Sequence, residues 1–406
     1  MSGALPERLP DAPWRTREGL AQLCEALGAA RGEARYVGGA VRDGLLGIPV
    51  QDIDIATLHL PEEVMRRVSG AGFKAVPTGL AHGTVTAVVH HWPVEITTLR
   101  RDVSTDGRRA TVAFGTDWRA DAARRDFTMN ALYADPADGT LHDYFGGLAD
   151  LDARRVRFIG DPVARIAEDH LRILRYFRFT ARFGTLDRMT ADYAACVAGA
   201  ESLKALSRER IADELLKLLA LPDPAPVLDA MVADGILAPV LPEIGTEGVA
   251  ALTRLIAAER ANGVAPDALR RLVALLPPDA GLADQVGARL RLSNKARGRI
   301  AAILKPLDAV DARAAAYARG VPATVDRILL GRDFSADDLA SVRDWTPPRL
   351  PLSGGDLIAM GLTAGPLVAR TLQALERDWI AAGFPDAAQT RALAAQLVEQ
   401  ALRSAQ

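Results

Sequence analysis

The stretch from Tyr36 to Thr57, YVGGAVRDGLLGIPVQDIDIAT, constrains this chain more than any other. Arg35 to Val37 is strand-like and runs into Gly38-Gly39, where residues without Cβ atoms allow a tight turn that presents successive backbone N–H groups to a phosphate. A helical run, Ala40 to Leu46, follows and stops at Gly47, which puts Arg42 where its guanidinium can add a bidentate contact to the same phosphates. Gln51-Asp52-Ile53-Asp54-Ile55 then alternates as a strand does, and residues two apart on a strand share a face. Asp52 and Asp54 are expected to converge. Paired carboxylates suit a hard divalent cation, Mg2+, which keeps part of its water and shares the remaining positions with substrate phosphates. Alone, Gly-Gly is a turn and an aspartate pair is a solvated edge; their order along the chain is what points to chemistry.

Two later segments belong with it. Arg124-Arg125-Asp126-Phe127-Thr128-Met129-Asn130-Ala131 sets guanidinium groups suited to phosphate beside a carboxylate able to accept from a ribose hydroxyl. The same octapeptide is compatible with a helix start carrying solvated arginines. Ala167 to Phe179, AEDHLRILRYFRF, is predicted as one helix with Leu171, Leu174 and Phe177 as its apolar stripe. Asp169, Arg172 and Arg175 step round an adjoining face at three-residue spacing, a pattern that also describes an ion-paired, solvated face.

With GGAVRD, DIDIAT, RRDFTMNA and EDHLRILR in this order, the sequence resembles the class II CCA-adding enzymes and bacterial poly(A) polymerases, strongly over roughly residues 30–220 and weakly beyond. The resemblance implies template-independent transfer of nucleotides from CTP and ATP to the 3′ end of tRNA, with release of pyrophosphate and Mg2+ at Asp52 and Asp54. It implies Arg125 at the triphosphate and Asp126 at the ribose, with Glu168, Asp169, Arg172, Arg175 and Arg178 in nucleotide recognition. Cytosine and adenine share an exocyclic amine beside a ring nitrogen that accepts, so Asp169 would accept from the amine and Arg172 donate to the nitrogen. Glu168, four residues before Arg172, would orient its guanidinium.

Other segments have weaker signals. Val85 to His90 and Val94 to Leu99 are predicted as a hairpin turned by Trp92-Pro93. Val94, Ile96 and Thr98 share one face and Glu95 lies on the other, either as a solvated strand residue or, as the resemblance of VEITTLRRD implies, as a third carboxylate. His82, although HGTV fits the family, is expected to be a loop histidine bonding backbone. Arg100 to Arg119, with Arg108 and Arg109 at its turn, is expected to be a flexible loop, where the family's CCA-adding members carry a mobile one. His142-Asp143 is expected to be a strand end rather than a metal doublet. Ser207 is expected to cap a helix in which Arg210 reaches Glu214. Helices are predicted over Trp14 to Ala30 and Pro61 to Ala71.

A chain of 406 residues with 49% hydrophobic content exceeds what one core organises, so several units are expected. The resemblance implies an α+β nucleotidyltransferase head, a mixed β-sheet with flanking helices, over residues 1–150. A helical neck (151–222), an RNA-binding helical body (223–345) and a tRNA-binding helical tail (346–406) would follow. A net charge of −2 gives no bulk attraction to nucleic acid, so RNA binding would need local clusters of arginine. Arg289, Arg291, Lys295, Arg297 and Arg299 form one, fit for acceptor-stem phosphates and equally for a solvated helix face. The segment PLSGGDLIAMG from Pro351 to Gly361 resembles the family's tail and is also compatible with a capped helix. Cys24 and Cys196 have neither disulfide nor zinc spacing. With no signal-like h-region and no apolar run of membrane length, a cytoplasmic protein with no membrane partner is expected. The rival expectations are a poly(A) polymerase, a tRNA nucleotidyltransferase adding only A, and a non-catalytic RNA-binding scaffold. The last would be credible only if Asp52 or Asp54 were replaced.

Overall fold

The computed structural model describes residues 5–106, 109–306 and 311–404, apart from the side chains of 101–112. Contacts divide the chain into two units, Met1–Pro242 and Glu243–Gln406.

The first unit holds a seven-stranded sheet built from β1 (Ala34–Val37), β2 (Ile53–Thr57), β3 (Lys74–Gly79), β4 (Thr84–Val89), β5 (Trp92–Thr98), β8 (Leu132–Ala134) and β9 (Leu141–Asp143). Their order is β3-β4-β5-β2-β1-β8-β9, and only β2 and β5 run parallel. Alternation decides which face is core: Val85, Ala87 and Val89 of β4 and Val94 and Ile96 of β5 are all buried. Helix α1 is Leu20–Ala26, α2 is Gly39–Leu45, and α3 (Pro61–Gly70) packs along β3, β4 and β5 with Val64 and Val68 buried.

Several local expectations are corrected. The helix predicted over Trp14 to Ala30 is cut to α1, because Gly19 and Gly28 take left-handed backbone on either side of it. The hairpin turns at His90-His91, both at positive φ, while Trp92 and Pro93 begin β5. Strand β2 starts at Ile53, so Asp52 lies just ahead of it. Arg100 to Arg119 contains a two-stranded ribbon, β6 (Arg100–Asp106) with β7 (Arg109–Phe114), and then α4 (Trp118–Ala123), whose N-cap Asp117 accepts from the Arg119 and Ala120 N–H groups. The polar composition of β6 disguised the ribbon. Arg108 lies outside the described residues.

After β9, Asp143 accepts from three backbone N–H groups at the start of α5 (Gly147–Asp152), and His142 bonds Asp135, so this pair is a structural strand end as expected. Helices α6 (Pro162–Glu168), α7 (Leu171–Phe183), α8 (Ala191–Ala198), α9 (Arg208–Leu219) and α10 (Ala225–Ala233) complete the unit. The single helix predicted across Ala167 to Phe179 is thus two. Asp169 is extended and its Oδ1 accepts from the Leu171 N–H, the local bond by which aspartate competes with helix interiors. Phe179 of α7 lies 5.1 Å from Phe127, which packs 4.9 Å from Phe158, so the RRDF segment is held against α7 by aromatic contacts.

Within its described residues the second unit has helices and no strands. Helix α11 (Thr246–Ala261) crosses α12 (Ala268–Leu275) so closely that a Cβ on Gly248 would stand 2.2 Å from the Leu275 carbonyl oxygen. Helices α13 (Ala280–Arg289), α14 (Asn294–Leu304), α15 (Ala312–Arg319) and α16 (Val321–Leu329) follow. Buried Glu259 accepts from Arg270 and Arg271, and buried Asp326 from Arg270 and Arg299. Further on, Ser353 and Asp356 form a capping box on Gly354–Ala359, and Leu357, Leu375 and Val398 share a core there. Both cysteines are buried and unpaired. No helix among the described residues is long and apolar enough to cross a membrane.

Candidate active site

One cleft of about 620 Å³ in the first unit gathers residues from all the strong motifs. Its lining includes Gly38, Gly39, Arg42, Asp52, Asp54, Arg125, Asp126, Asn130, Asp169, Arg172, Arg175, Arg178 and Phe179. Gly38 sits at φ 68°, and a Cβ there would come 3.3 Å from Arg125 Nη1, so glycine permits both the turn and the close approach of that guanidinium. Arg42 is buried against the Phe183 ring, 4.1 Å from its centroid, with Nε donating to Asp43 and Nη1 to the Asn130 side chain.

Asp54 pairs in parallel register with Glu95, so both carboxylates leave the same face of the sheet. Burial, and then the Glu95 charge, push the Asp54 carboxyl up to about 6 against the pull of Arg125; Asp52 adds a smaller push in the same direction. Carboxylates crowded this way favour a cation between them. No group of three or more His, Cys, Asp or Glu among the described residues is arranged to hold a metal alone. The hard carboxylate oxygens of Asp52 and Asp54, both lining the cleft, are donors of the kind that fit a divalent cation completing its shell with water and substrate oxygens.

Arg125 is positioned by Asp121 at 3.3 Å and the Tyr133 hydroxyl at 3.3 Å, and Tyr133 itself donates to Asp121 at 2.7 Å. Asp126 accepts from the Phe127 N–H, the Asn130 amide and, at 2.8 Å, Arg175 Nε. Burial alone would raise its pKa, but Arg175 and Asn130 outweigh it and hold the carboxyl below the usual range. Glu168 lies behind the cleft wall, accepting from Arg165 at 2.6 Å and from Arg172, whose Nη1 also donates to the Arg165 carbonyl at 2.7 Å.

Arg210 does not pair with Glu214 as the four-residue spacing suggested. It donates to Asp169 Oδ2 at 2.7 Å, while buried Glu214 accepts from Arg178 at 2.6 Å and lies 3.6 Å from Arg175. Ser207 occupies the N-cap position of α9 without a side-chain capping bond. Sequence reasoning missed Asp121, Asn130, Tyr133, Arg165, Arg210 and Glu214 as supports of the site. Asp121 and Arg165 stand at helical spacing from Arg125 and Glu168, Asn130 lies inside the RRDFTMNA motif four residues after Asp126, and the spacing of Arg210 and Glu214 pointed them at each other; Tyr133 had no signal. In the second unit, Arg289 is held by Glu243 at 2.6 Å, Arg297 by Asp284 at 2.9 Å and Arg299 by Asp267 and Asp326 at 2.8 Å.

Comparison with known proteins adds to this geometry. The poly A polymerase head domain family matches residues 34–157, and a family described as a probable RNA and SrmB-binding site of polymerase A matches 193–246. The mitochondrial CCA tRNA nucleotidyltransferase 1 of Mus musculus is 34% identical over 387 residues, spanning 90% of this chain and 87% of that protein. The chain belongs to the CCA-adding tRNA nucleotidyltransferases. It is an enzyme of nucleotidyl transfer. The CCA-adding enzyme of Streptococcus gordonii is 41% identical over 230 residues, 56% of each chain. Among solved structures, the Bacillus stearothermophilus CCA-adding enzyme in complex with CTP superposes with a TM-score of 0.73 at 28% identity, covering 95% of this chain and 98% of that one. The α+β class, with a mixed sheet followed by helices, agrees with that relative.

Proposed function

We propose that this chain adds CCA to the 3′ end of tRNA, taking CTP and ATP one at a time into the cleft at Asp52 and Asp54. The observation that carries this is the convergence of four separated motifs on one cleft, in a chain related along most of its length to CCA tRNA nucleotidyltransferases.

In the reaction the terminal 3′ oxygen bonds to the α-phosphorus, the bond to the bridging oxygen breaks, pyrophosphate leaves and the hydroxyl proton is lost to water. Asp52 and Asp54 would hold a divalent cation, taken as Mg2+ from their hard oxygen donors, whose positive charge would serve the hydroxyl and the phosphates. The backbone N–H groups at Gly38-Gly39 and the guanidinium of Arg125 hold the triphosphate, with Arg42 behind them. A ribose hydroxyl that reaches Asp126 must displace Arg175 or Asn130 from it.

Base choice is assigned to Asp169 and Arg172. Glu168 and the Arg165 carbonyl fix one end of the Arg172 guanidinium, which has further N–H donors for a ring nitrogen. Arg175 and Arg178, tied to Asp126 and Glu214, line the same wall. We assign residues 1–150 to transfer, 151–222 to base recognition, and 223–345 and 346–406 to tRNA docking. In the basic cluster Arg291 and Lys295 are exposed, and phosphates that reach Arg289 and Arg297 would have to displace Glu243 and Asp284 from them. The test is to sequence the product made from tRNA lacking its last three nucleotides with CTP, ATP and Mg2+. A CCA end supports the reading; a run of A, or extension only of tRNA already ending in CC, overturns it.

A further inference from the structure

The cleft accounts for one side of the Asp54 carboxylate, and the sheet order shows what lies on the other. In β3-β4-β5-β2-β1-β8-β9, the nucleotide cleft is built around the end of β1 and the segment leading into β8, while β5, β4 and β3 extend from β2 the opposite way. Register places side chains on that extension. Asp54 pairs with Glu95, Glu95 with Thr86, and Thr97 with Thr84, so all five share one face. The hydroxyls of Thr84 and Thr97 lie 3.3 Å apart, and those of Thr78 and Thr86 lie 2.8 Å apart, which adds β3 to the same surface. The reverse face of these strands buries Val85, Ala87, Val94 and Ile96 on the side of α3.

Alternation makes the outer face of these strands polar, and here its hydroxyls run on directly from the carboxylates of Asp54 and Glu95. Two paired hydroxyls hold two protons and four lone pairs and spend one of each on the bond between them, so each pair can still donate once and accept three times. That chemistry matches ribose hydroxyls and phosphodiester oxygens. Thr84 and Thr97 are half-buried and Thr78 is exposed, while Thr86 is buried, so the hydroxyls of the first three are the accessible ones. In phosphoryl transfer the attacking and leaving oxygens lie roughly in line through phosphorus. With the triphosphate on the β1 side, the attacking hydroxyl must approach over β5.

We infer that the 3′-terminal nucleotides of the acceptor RNA lie across the β5-β4-β3 face, with ribose and phosphate bound by the hydroxyls of Thr97, Thr84 and Thr78. The inference rests on the cleft being the nucleotide site. Its occupant is the RNA strand end itself, because the row is continuous with Glu95 and Asp54, where the bond is made.

The test is the double variant Thr84→Val, Thr97→Val, which keeps β-branched residues in both strands while removing the hydroxyls. Steady-state addition of CMP to tRNA lacking its end is measured against tRNA and against CTP, with equilibrium binding of ATP to the protein alone. The expected result is a fall of about tenfold in kcat/KM for tRNA, the loss of one or two hydrogen bonds, with ATP binding unchanged. Unchanged tRNA kinetics overturn the inference, and so does an equal loss of ATP binding, which would place the hydroxyls in the nucleotide cleft. A second measurement avoids any loss of fold: 4-thiouridine as the last nucleotide of the acceptor is photo-crosslinked to the unsubstituted protein. Crosslinks within 76–98 support the inference, and crosslinks confined to other segments refute it. If the unsubstituted protein adds nothing to any tRNA, the functional reading has failed instead, whatever the crosslinks show.

Discussion

Arg210 Nη2 lies 2.7 Å from Asp169 Oδ2, joining α9 to the break between α6 and α7. The carboxylate assigned to the base amine is therefore held by a residue of another helix. Arg210→Ala should raise KM for CTP and for ATP about tenfold, the scale of one charge-assisted hydrogen bond, while tRNA affinity stays level. Arg210→Lys should recover part of the loss, since it keeps the charge and gives up the planar fork. Identical KM values in all three proteins would show that Asp169 needs no such support.

Glu214 should matter more for stability. It is buried and faces both Arg178 and Arg175, so Glu214→Ala leaves two guanidinium groups beside each other without their shared counter-charge. Removing one partner of such a buried group costs about 3–5 kcal/mol, to be read from urea unfolding of the whole chain. A loss below about 1 kcal/mol, the range of exposed ion pairs, would contradict the burial of this network.

These two residues also show what the sequence could and could not disclose. The Gly-Gly turn and the face of β2 that carries Asp54 follow from local signals, whereas Asp52 lies just ahead of the strand and the face that Asp54 shares with Glu95 is set by the parallel pairing of β2 with β5, which no local rule supplies. Helical spacing favours Glu214 as the partner of Arg210, whereas the observed partner is 41 residues away and no local rule weighs that pairing. Periodicity carries α7 on through Asp169 because the apolar stripe runs unbroken, and a single backbone-bonding aspartate leaves that stripe almost untouched. The ribbon of β6 and β7 reads as a loop in the sequence because β6, RRDVSTD, is polar and Gly107 punctuates the segment, which hides the mostly apolar RATVAF of β7.

The carboxylates carry a graded expectation. Asp52→Ala and Asp54→Ala should each abolish transfer while leaving tRNA binding near normal, because they serve chemistry rather than docking. Glu95→Ala, across the strand from Asp54, should cost less. Single-turnover rates beside filter binding check both statements, and measurable turnover in either aspartate variant would remove the cation-binding assignment.

In the second unit, Glu259 accepts from Arg270 and Arg271, both buried. Glu259→Ala should destabilise that unit by about 3–5 kcal/mol and leave ATP binding to the first unit intact. Limited proteolysis, with the cleavage sites mapped, would show the damage confined to residues 243–406. Equal protection in both proteins would contradict it.

We assign Asp169 and Arg172 the place of a template. This assignment is tested most directly by measuring incorporation of each of the four NTPs, separately, into tRNA lacking its 3′ end by the unsubstituted protein, Asp169→Ala and Arg172→Ala. A wrong base leaves buried polar groups unpaired, so the unsubstituted protein should favour CTP over UTP and GTP by about 10⁴ on this tRNA, and ATP by a similar margin once two cytidines are present. Both variants should shrink that ratio. If instead both lose activity uniformly and keep the original preference for C and A, base selection lies elsewhere and the claim is wrong.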